Sequence, residues 1–323
     1  MKAFVTGGTG FIGSHLIEFL LKQKETEIFA LVRNINKQKW LNGLPLHFLQ
    51  GDLFSIPPLP RDLDVVFHLA GLTKSSKSVD YYTVNQKGTT SLFESLTDQK
   101  IRPKIIYLSS LAAAGPSVGR IAVREDVSPH PLTVYGKSKL AGEEEALKFK
   151  GQFPLVILRA AAIYGPRDTD FLQYFKFIKK GILGSYTSKP KWVSLCYVKD
   201  LVQALHLSAL RNLESGEIFN IADKTPYSWE ELGRAAGRAL RKKLKKVIIP
   251  VPLFYLGALF SEIAGKVSKK PNIFNRDKYR DMRQEGWMAD VQKAKEKLSF
   301  ETQYSLEEAI QETIDWYLKN NWL

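Results

Sequence analysis

The chain has 323 residues, enough to bury a large core in one α/β domain or in a domain with a smaller partner. Its 44% hydrophobic and 25% charged content is that of an ordinary soluble protein, and a single cysteine, Cys196, excludes an intrachain disulfide and fits a reducing compartment. The net charge is +14 (47 basic minus 33 acidic residues), and +9 of it lies in 230–300, where 17 Lys and Arg face 8 Asp and Glu.

Part of that excess is the run from Arg238 to Lys246, read as a solvated helix face or as attraction to an anionic substrate, a cofactor phosphate or a membrane surface. No recognised reader module or interleaved aromatic motif accompanies it, so nucleic acid is not an expected partner. Gly7 and Gly8 interrupt the apolar start before a secretory h-region forms. The expected address is cytoplasmic.

Lys2 to Thr6 reads as a short buried strand and Ser14 to Lys22 as a helix, with Gly7, Gly10 and Gly13 between them. A strand turning sharply into a helix needs a residue without a Cβ at the turn. A phosphate meeting the helix N-terminus needs another, so that backbone N–H groups can reach it, and a third lets the helix pack closely on the sheet. The placement predicts a dinucleotide site. Glu27 to Val32 is a second strand ending at Arg33. At this position an acidic residue pairs with a ribose 2′-OH and a basic one accommodates a 2′-phosphate, so Arg33 favours NADP, with NAD still open.

Leu46 to Leu49 is a third strand, followed by Gly51, Asp52 and Leu53. Val65 to Leu69 is a fourth and runs into Ala70 and Gly71, small residues that let the backbone approach a cofactor; His68 within it reads as packed. Tyr81 to Leu96 reads as a helix carrying Asn85. Lys104 to Leu108 is a strand ending in Ser109 and Ser110, Thr133 to Lys148 a helix carrying Tyr135 and Lys139, and Pro154 to Leu158 a sixth strand. Continuous apolar runs alternating with helices predict an α/β fold with a doubly wound parallel sheet.

The second half loses this alternation after Tyr164-Gly165-Pro166. Phe171 to Lys180 reads as a helix and Glu217 to Ala222 as a late strand that can return to the main sheet. Ser305 and Glu308 have capping-box spacing, and Leu306, Ile310, Ile314 and Tyr317 share one face of a last helix. The expected division is a cofactor domain over 1–165, rejoined by 193–222, and a smaller, mainly helical C-terminal substrate lobe over 166–192 and 223–323. Val247 to Phe260 (VIIPVPLFYLGALF) is the most apolar run, too short for a bilayer span and interrupted by Pro250 and Pro252. A helix lining an apolar cleft and shallow, weak membrane-surface association both remain open for it.

Tyr135 and Lys139 lie one helical turn apart, on one face. A free phenol has a pKa of about 10, and a nearby ammonium lowers it, so the pair is a general acid/base unit. Ser110 follows a parallel strand at the carboxyl end, where a hydroxyl can donate to a substrate carbonyl. No metal ligand set is expected.

Together these motifs resemble the extended short-chain dehydrogenase/reductases of the NAD(P)-dependent epimerase/dehydratase type, which have a Rossmann domain. The resemblance rests on GGTGFIG at 7–13, GDL at 51–53, HLAG at 68–71, VNQKGT at 84–89, YLSS at 107–110, YGKSK at 135–139, YGPRD at 164–168 and YVKDLVQA at 197–204. The stretch from Trp287 to Leu323 is similar to the tail of bacterial dihydroflavonol-reductase-like and 3β-hydroxysteroid-dehydrogenase-like members.

The resemblance implies that Tyr135 exchanges a proton with the substrate oxygen. Lys139 then binds the nicotinamide ribose and lowers the Tyr135 pKa, and Ser110 rather than Ser109 hydrogen-bonds the carbonyl. It implies cofactor contacts from Gly7, Thr9, Gly10, Phe11, Ile12, Gly13, Asp52, Leu53, Leu69, Ala70, Gly71 and Ile163. Asn85 is counted with them, though a purely structural role for it is left open. A homodimer through the 81–96 and 133–148 helices is implied as well.

One departure bears on substrate. Nucleotide-sugar members usually carry an asparagine shortly before the Tyr-Gly-Pro-like segment, whereas this chain has Ala162, which has no side-chain donor. The expectation is an NADP-dependent reductase or dehydrogenase acting on a small-molecule ketone or secondary alcohol of largely apolar character. The alternatives are a nucleotide-sugar epimerase or dehydratase with tightly bound NAD, and a non-catalytic cofactor-binding protein.

Overall fold

A computed structural model of the chain describes residues 1–185, 190–248, 280–281 and 283–323. Its centre is a seven-stranded parallel sheet made of β1 (Lys2–Thr6), β2 (Glu27–Val32), β3 (His47–Gln50), β4 (Val65–His68), β5 (Lys104–Ser110), β6 (Leu155–Ala160) and a late strand, Glu217–Ile221. Successive residues alternate between two cores. Ala3 and Val5 of β1 face the cluster that includes Leu16 and Leu20, while Phe4 faces the cluster with Leu92 and Phe93. Both faces are covered, which is why the strands read as continuous apolar runs rather than as alternation.

The helices divide accordingly. One face is covered by α1 (Phe11–Leu20) and by Val198–Leu210, the other by Gly88–Asp98 and the Tyr135 helix, Val134–Leu147. The strand order, with the late strand first, is Glu217–Ile221, β6, β5, β4, β1, β2, β3, so the chain winds outward from β1 in both directions. That leaves a crevice at the carboxyl ends of β1 and β4, where the order reverses. The late strand does return to the sheet, as its edge beside β6.

Four expectations are corrected. First, α1 begins at Phe11 rather than Ser14, because Gly10 is extended (φ −79°, ψ 179°) and already serves as its N-cap. Second, the helix expected over 81–96 is broken into α2 (Ser78–Tyr82), a π turn (Thr83–Lys87) and α3 (Gly88–Asp98). The wide turn lies where the Tyr135 helix packs closest: a Cβ on Gly142 would come 2.3 Å from the Asn85 carbonyl oxygen. Third, β5 and β6 run on to Ser110 and Ala160, two residues past the expected Leu108 and Leu158, because their ladder continues through Ser109 to Arg159 and Ser110 to Ala160. Fourth, Val247 and Ile248 are not helical. With Lys245 and Lys246 they form a strand parallel to Ile182–Ser185, as suits β-branched residues; the rest of the apolar run, 249–260, lies outside the described residues.

A second core lies beside the sheet. It joins Phe171, Phe175 and Ile178 of Asp170–Lys179 to Leu232, Ala235 and Ala236 of Trp229–Ala239 and to Ile310, Ile314 and Tyr317 of Leu306–Lys319. The Ser305–Glu308 capping box starts that last helix as its spacing predicts, and Ser228 with Glu231 makes an equivalent box at the start of Trp229–Ala239. In the basic run, Arg238 pairs with Glu307 and Lys246 with Glu230, in exposed positions where ion pairs stabilise by about 1 kcal/mol at most. Among the described residues no helix is long and apolar enough to cross a membrane.

Candidate active site

The glycine turn forces two backbones together. Gly7 has φ +74°, and a Cβ there would fall 2.7 Å from the Ala70 nitrogen, so the turn after β1 lies against the end of β4. A Cβ on Gly13 would sit 2.3 Å from the Gly7 oxygen, so α1 begins directly against the turn. Gly10 caps α1 without a side-chain hydrogen bond. The first-turn N–H groups of Phe11, Ile12 and Gly13 thus have no side-chain cap, and the positive end of the helix dipole faces the crevice. Thr9, Phe11 and Ile12 line this turn partly buried.

Thr6, which sequence reasoning passed over, ties the crevice together. Its hydroxyl accepts from Ala70 N–H at 3.1 Å and meets His68 Nδ1 at 2.8 Å, while His68 Nε2 meets the Thr89 hydroxyl at 3.1 Å. His68 is wholly buried, and burial pushes its pKa down to about 3. It is a packed, neutral histidine, as expected. Asn85 is buried and bonded within the protein. Its side-chain oxygen accepts from Leu72 N–H at 2.7 Å, and its nitrogen donates to Leu72 O at 3.0 Å and Ser138 Oγ at 2.9 Å. It holds the loop of Leu69, Ala70 and Gly71 in place, and π turns recur at such positions. Leu53 is buried in the core against Gly88, and Asp52 is exposed, accepting from Phe54 N–H at 2.8 Å. Arg33 is exposed just past the end of β2.

The two serines ending β5 separate by environment. Ser109 is buried and donates to Glu143. Ser110 is half-buried, its hydroxyl accepts from Ala112 N–H at 3.2 Å, and it lies close enough to the Tyr135 phenol to oppose the rise of that group's pKa. Tyr135 sits in the first turn of its helix, whose N-cap Thr133 accepts from Gly136 N–H. The structure therefore brings Ser110 and Tyr135 together.

Lys139 has partners of its own within the protein. It shares the helix face with Tyr135, but its ammonium donates to the Leu108 carbonyl at 2.7 Å and lies 4.5 Å from the centre of the Tyr107 ring. The strand-end carbonyl offers an acceptor that spacing along a helix cannot reveal. The Tyr135 phenol belongs to the residue one helical turn before Lys139. Burial raises that phenol above its usual range, and the Ser110 hydroxyl opposes the rise. Burial also pushes Lys139 down to about 8.

Ile163 lies in a short strand, Ala162–Tyr164, parallel to Leu195–Tyr197. Just beyond it, Arg167 (φ +74°) donates to Ser14 Oγ at 3.0 Å and Glu18 at 2.6 Å, and its guanidinium stacks 4.9 Å from the centre of Trp40. Trp40 in turn meets Trp316, and the Tyr317 hydroxyl donates to the Asp168 carbonyl at 2.7 Å. The C-terminal helix thereby fixes the 164–168 loop against α1. Among the described residues no group of three or more His, Cys, Asp or Glu is gathered as a metal centre.

The NAD dependent epimerase/dehydratase family model matches residues 3–222, and the chain belongs to that family. It is 26% identical to a ceramide reductase of Caulobacter vibrioides, over 99% of this chain and 95% of the relative. It is 27% identical to an uncharacterised UDP-glucose epimerase of Bacillus subtilis, over 96% of each. The structure superposes on a UDP-glucuronic acid 4-epimerase of Bacillus cereus in complex with NAD, with a TM-score of 0.78, 25% identity and 99% coverage of both chains. It is an extended short-chain dehydrogenase/reductase with an NAD-binding Rossmann sheet.

Proposed function

We propose that this family member is an NADP-dependent oxidoreductase, moving a hydride between nicotinamide C4 and a ketone or secondary alcohol on a largely apolar substrate. The observation that carries the reading is the Ser110 hydroxyl beside the Tyr135 phenol at the carboxyl end of β5, next to a strand end that runs on as Ala160-Ala161-Ala162. Ala162, the half-buried residue of that run, offers a substrate no side-chain hydrogen bond, which disfavours a sugar.

The residues present fit the cofactor. The Gly7 and Gly13 approaches clear a backbone cradle, and the uncapped start of α1 suits a pyrophosphate. When bound, the nicotinamide supplies the hydride donor or acceptor. Tyr135, whose raised pKa keeps the phenol protonated near neutral pH, holds the proton that a reduced carbonyl oxygen takes up. Ser110 orients that oxygen. Lys139 meets the ribose hydroxyls, and Arg33 stands where a 2′-phosphate would lie. We assign cofactor binding to 1–165 with 193–222, and the substrate side to 166–192 with 223–323. The relation to a ceramide reductase supports this reading.

The likeness to UDP-glucuronic acid 4-epimerase supports a second reading, in which the hydride is returned to the same sugar and the cofactor is not consumed. Incubation with NADPH and a panel of apolar ketones is expected to release NADP⁺ in excess over enzyme. Interconversion of a UDP-sugar with no net cofactor turnover would overturn the proposal in favour of the second reading.

A further inference from the structure

Behind the Ser110–Tyr135 pair lies a buried ionic network that the proposed chemistry does not itself use. Glu143 is 1% exposed and Arg159 2% exposed. Arg159 grips Glu143 with Nε at 3.0 and 3.2 Å from the two carboxylate oxygens and Nη2 at 2.7 Å, and the Ser109 hydroxyl donates to the same carboxylate. Ser109 and Arg159 are direct partners across the β5–β6 ladder, each one residue before the strand end. Two neighbouring strands therefore hold one carboxylate of the helix packed over them.

That carboxylate lies four residues after Lys139 and eight after Tyr135, so all three share one helix face. Lys139 itself is 5% exposed, and its immediate partners, the Leu108 carbonyl and the Tyr107 ring, carry no full charge. The titratable groups packed around it are neutral His68 from β4, Tyr107 from β5 and Tyr135 from its own helix. Arg159 from β6 is cationic and reaches it only through Glu143. Among the described residues, Glu143 supplies the charge that favours the ammonium against the cost of burial.

We propose that Glu143 is a positioning residue that keeps Lys139 charged, and that Arg159 and Ser109 serve to hold its carboxylate in place for that purpose. The proposal rests on the reading of Lys139 as the ribose-binding group. A buried pair made only for stability would have no reason to sit one turn from a buried ammonium, because well-packed apolar residues do as well or better in such places.

The test is the titration of Lys139 followed by NMR on protein carrying isotope-labelled lysine, with Lys139→Arg used for assignment. The wild-type midpoint is expected near 8. Glu143→Gln is expected to lower it by about one pH unit, and to move the alkaline limb of the activity profile down by the same amount. If the single variant does not fold, Glu143→Gln combined with Arg159→Met removes both buried charges together. A purely structural pair predicts an unchanged midpoint in that double variant; this proposal predicts the lowered one. Ser109→Ala keeps the charge and is expected to leave the midpoint in place. An unchanged Lys139 midpoint in a folded variant lacking the Glu143 charge overturns the proposal. Full turnover in Tyr135→Phe would sink the functional reading instead, and would leave the Lys139 titration as it is.

Discussion

Two strand ends of one sheet carry opposite kinds of machinery. At the end of β5, Ser110 lies beside Tyr135, and Ser109 is tied to Glu143 and through it to Arg159 on the next strand. At the end of β2, Arg33 is exposed to solvent, and the chain beyond it closes in a small turn, with Asn36 N–H donating to the Asn34 side chain at 2.9 Å. On the proposed reading, groups that must meet a reacting atom at fixed distance are built into the core and share its stability. A cation that need only meet a phosphate can stand free, and its replacement costs the fold little.

The largest effect that would break this contrast concerns Tyr135. Tyr135→Phe is expected to lower turnover about a thousandfold, within the usual range for general acid–base groups, with cofactor affinity and unfolding midpoint nearly unchanged. Steady-state kinetics beside cofactor titration checks both halves. Arg159→Met alone leaves the Glu143 carboxylate buried without its main partner. It is expected to cost about 3–5 kcal/mol in chemical denaturation; a loss below about 1 kcal/mol would mean that the β5 end is not coupled to the core.

On the exposed side, Arg33→Ala is expected to weaken NADPH binding about 10- to 100-fold, as for one lost charge-assisted hydrogen bond, and to leave NADH binding and stability alone. Equal binding of both cofactors by the wild-type protein would remove Arg33 from the site.

A last effect sharpens the buried side through pH. His68 titrates at about 3 when folded and at 6.5 when unfolded. Above 6.5 both states are neutral there. Below it the unfolded chain takes up a proton that the folded one refuses, so stability falls toward acid. The expected slope from this residue is about 1.4 kcal/mol per pH unit between 6.5 and 3. A thermal unfolding series in which His68→Gln flattens that slope checks it.

Much of the sheet was legible because its signals are local. Apolar runs mark strands that are buried on both faces, and Gly7, Gly10 and Gly13 mark the turn between β1 and α1. Element ends were read less well. Gly10 caps α1 three residues before the first polar candidate, Ser14, and nothing local announces the π turn at Thr83–Lys87. In the site, Ser110 was preferred to Ser109 by analogy alone, and the buried bond from Ser109 to Glu143 that separates their environments is visible only in the structure. Glu143 had a visible signal in its spacing from Lys139, but Arg159 had none, since the pair joins a helix to a strand sixteen residues away.

By itself the sequence determined the alternation of strands and helices in the first half and the glycine turn that opens the sheet. Both are written in spacing and in the sizes of adjacent residues. Only the tertiary structure decided that the late strand Glu217–Ile221 returns beside β6, that Asn85 braces a loop, and that the Lys139 ammonium bonds to the Leu108 carbonyl. Those outcomes depend on where buried polar groups find partners, and the partners lie far along the chain and meet only when the sheet assembles.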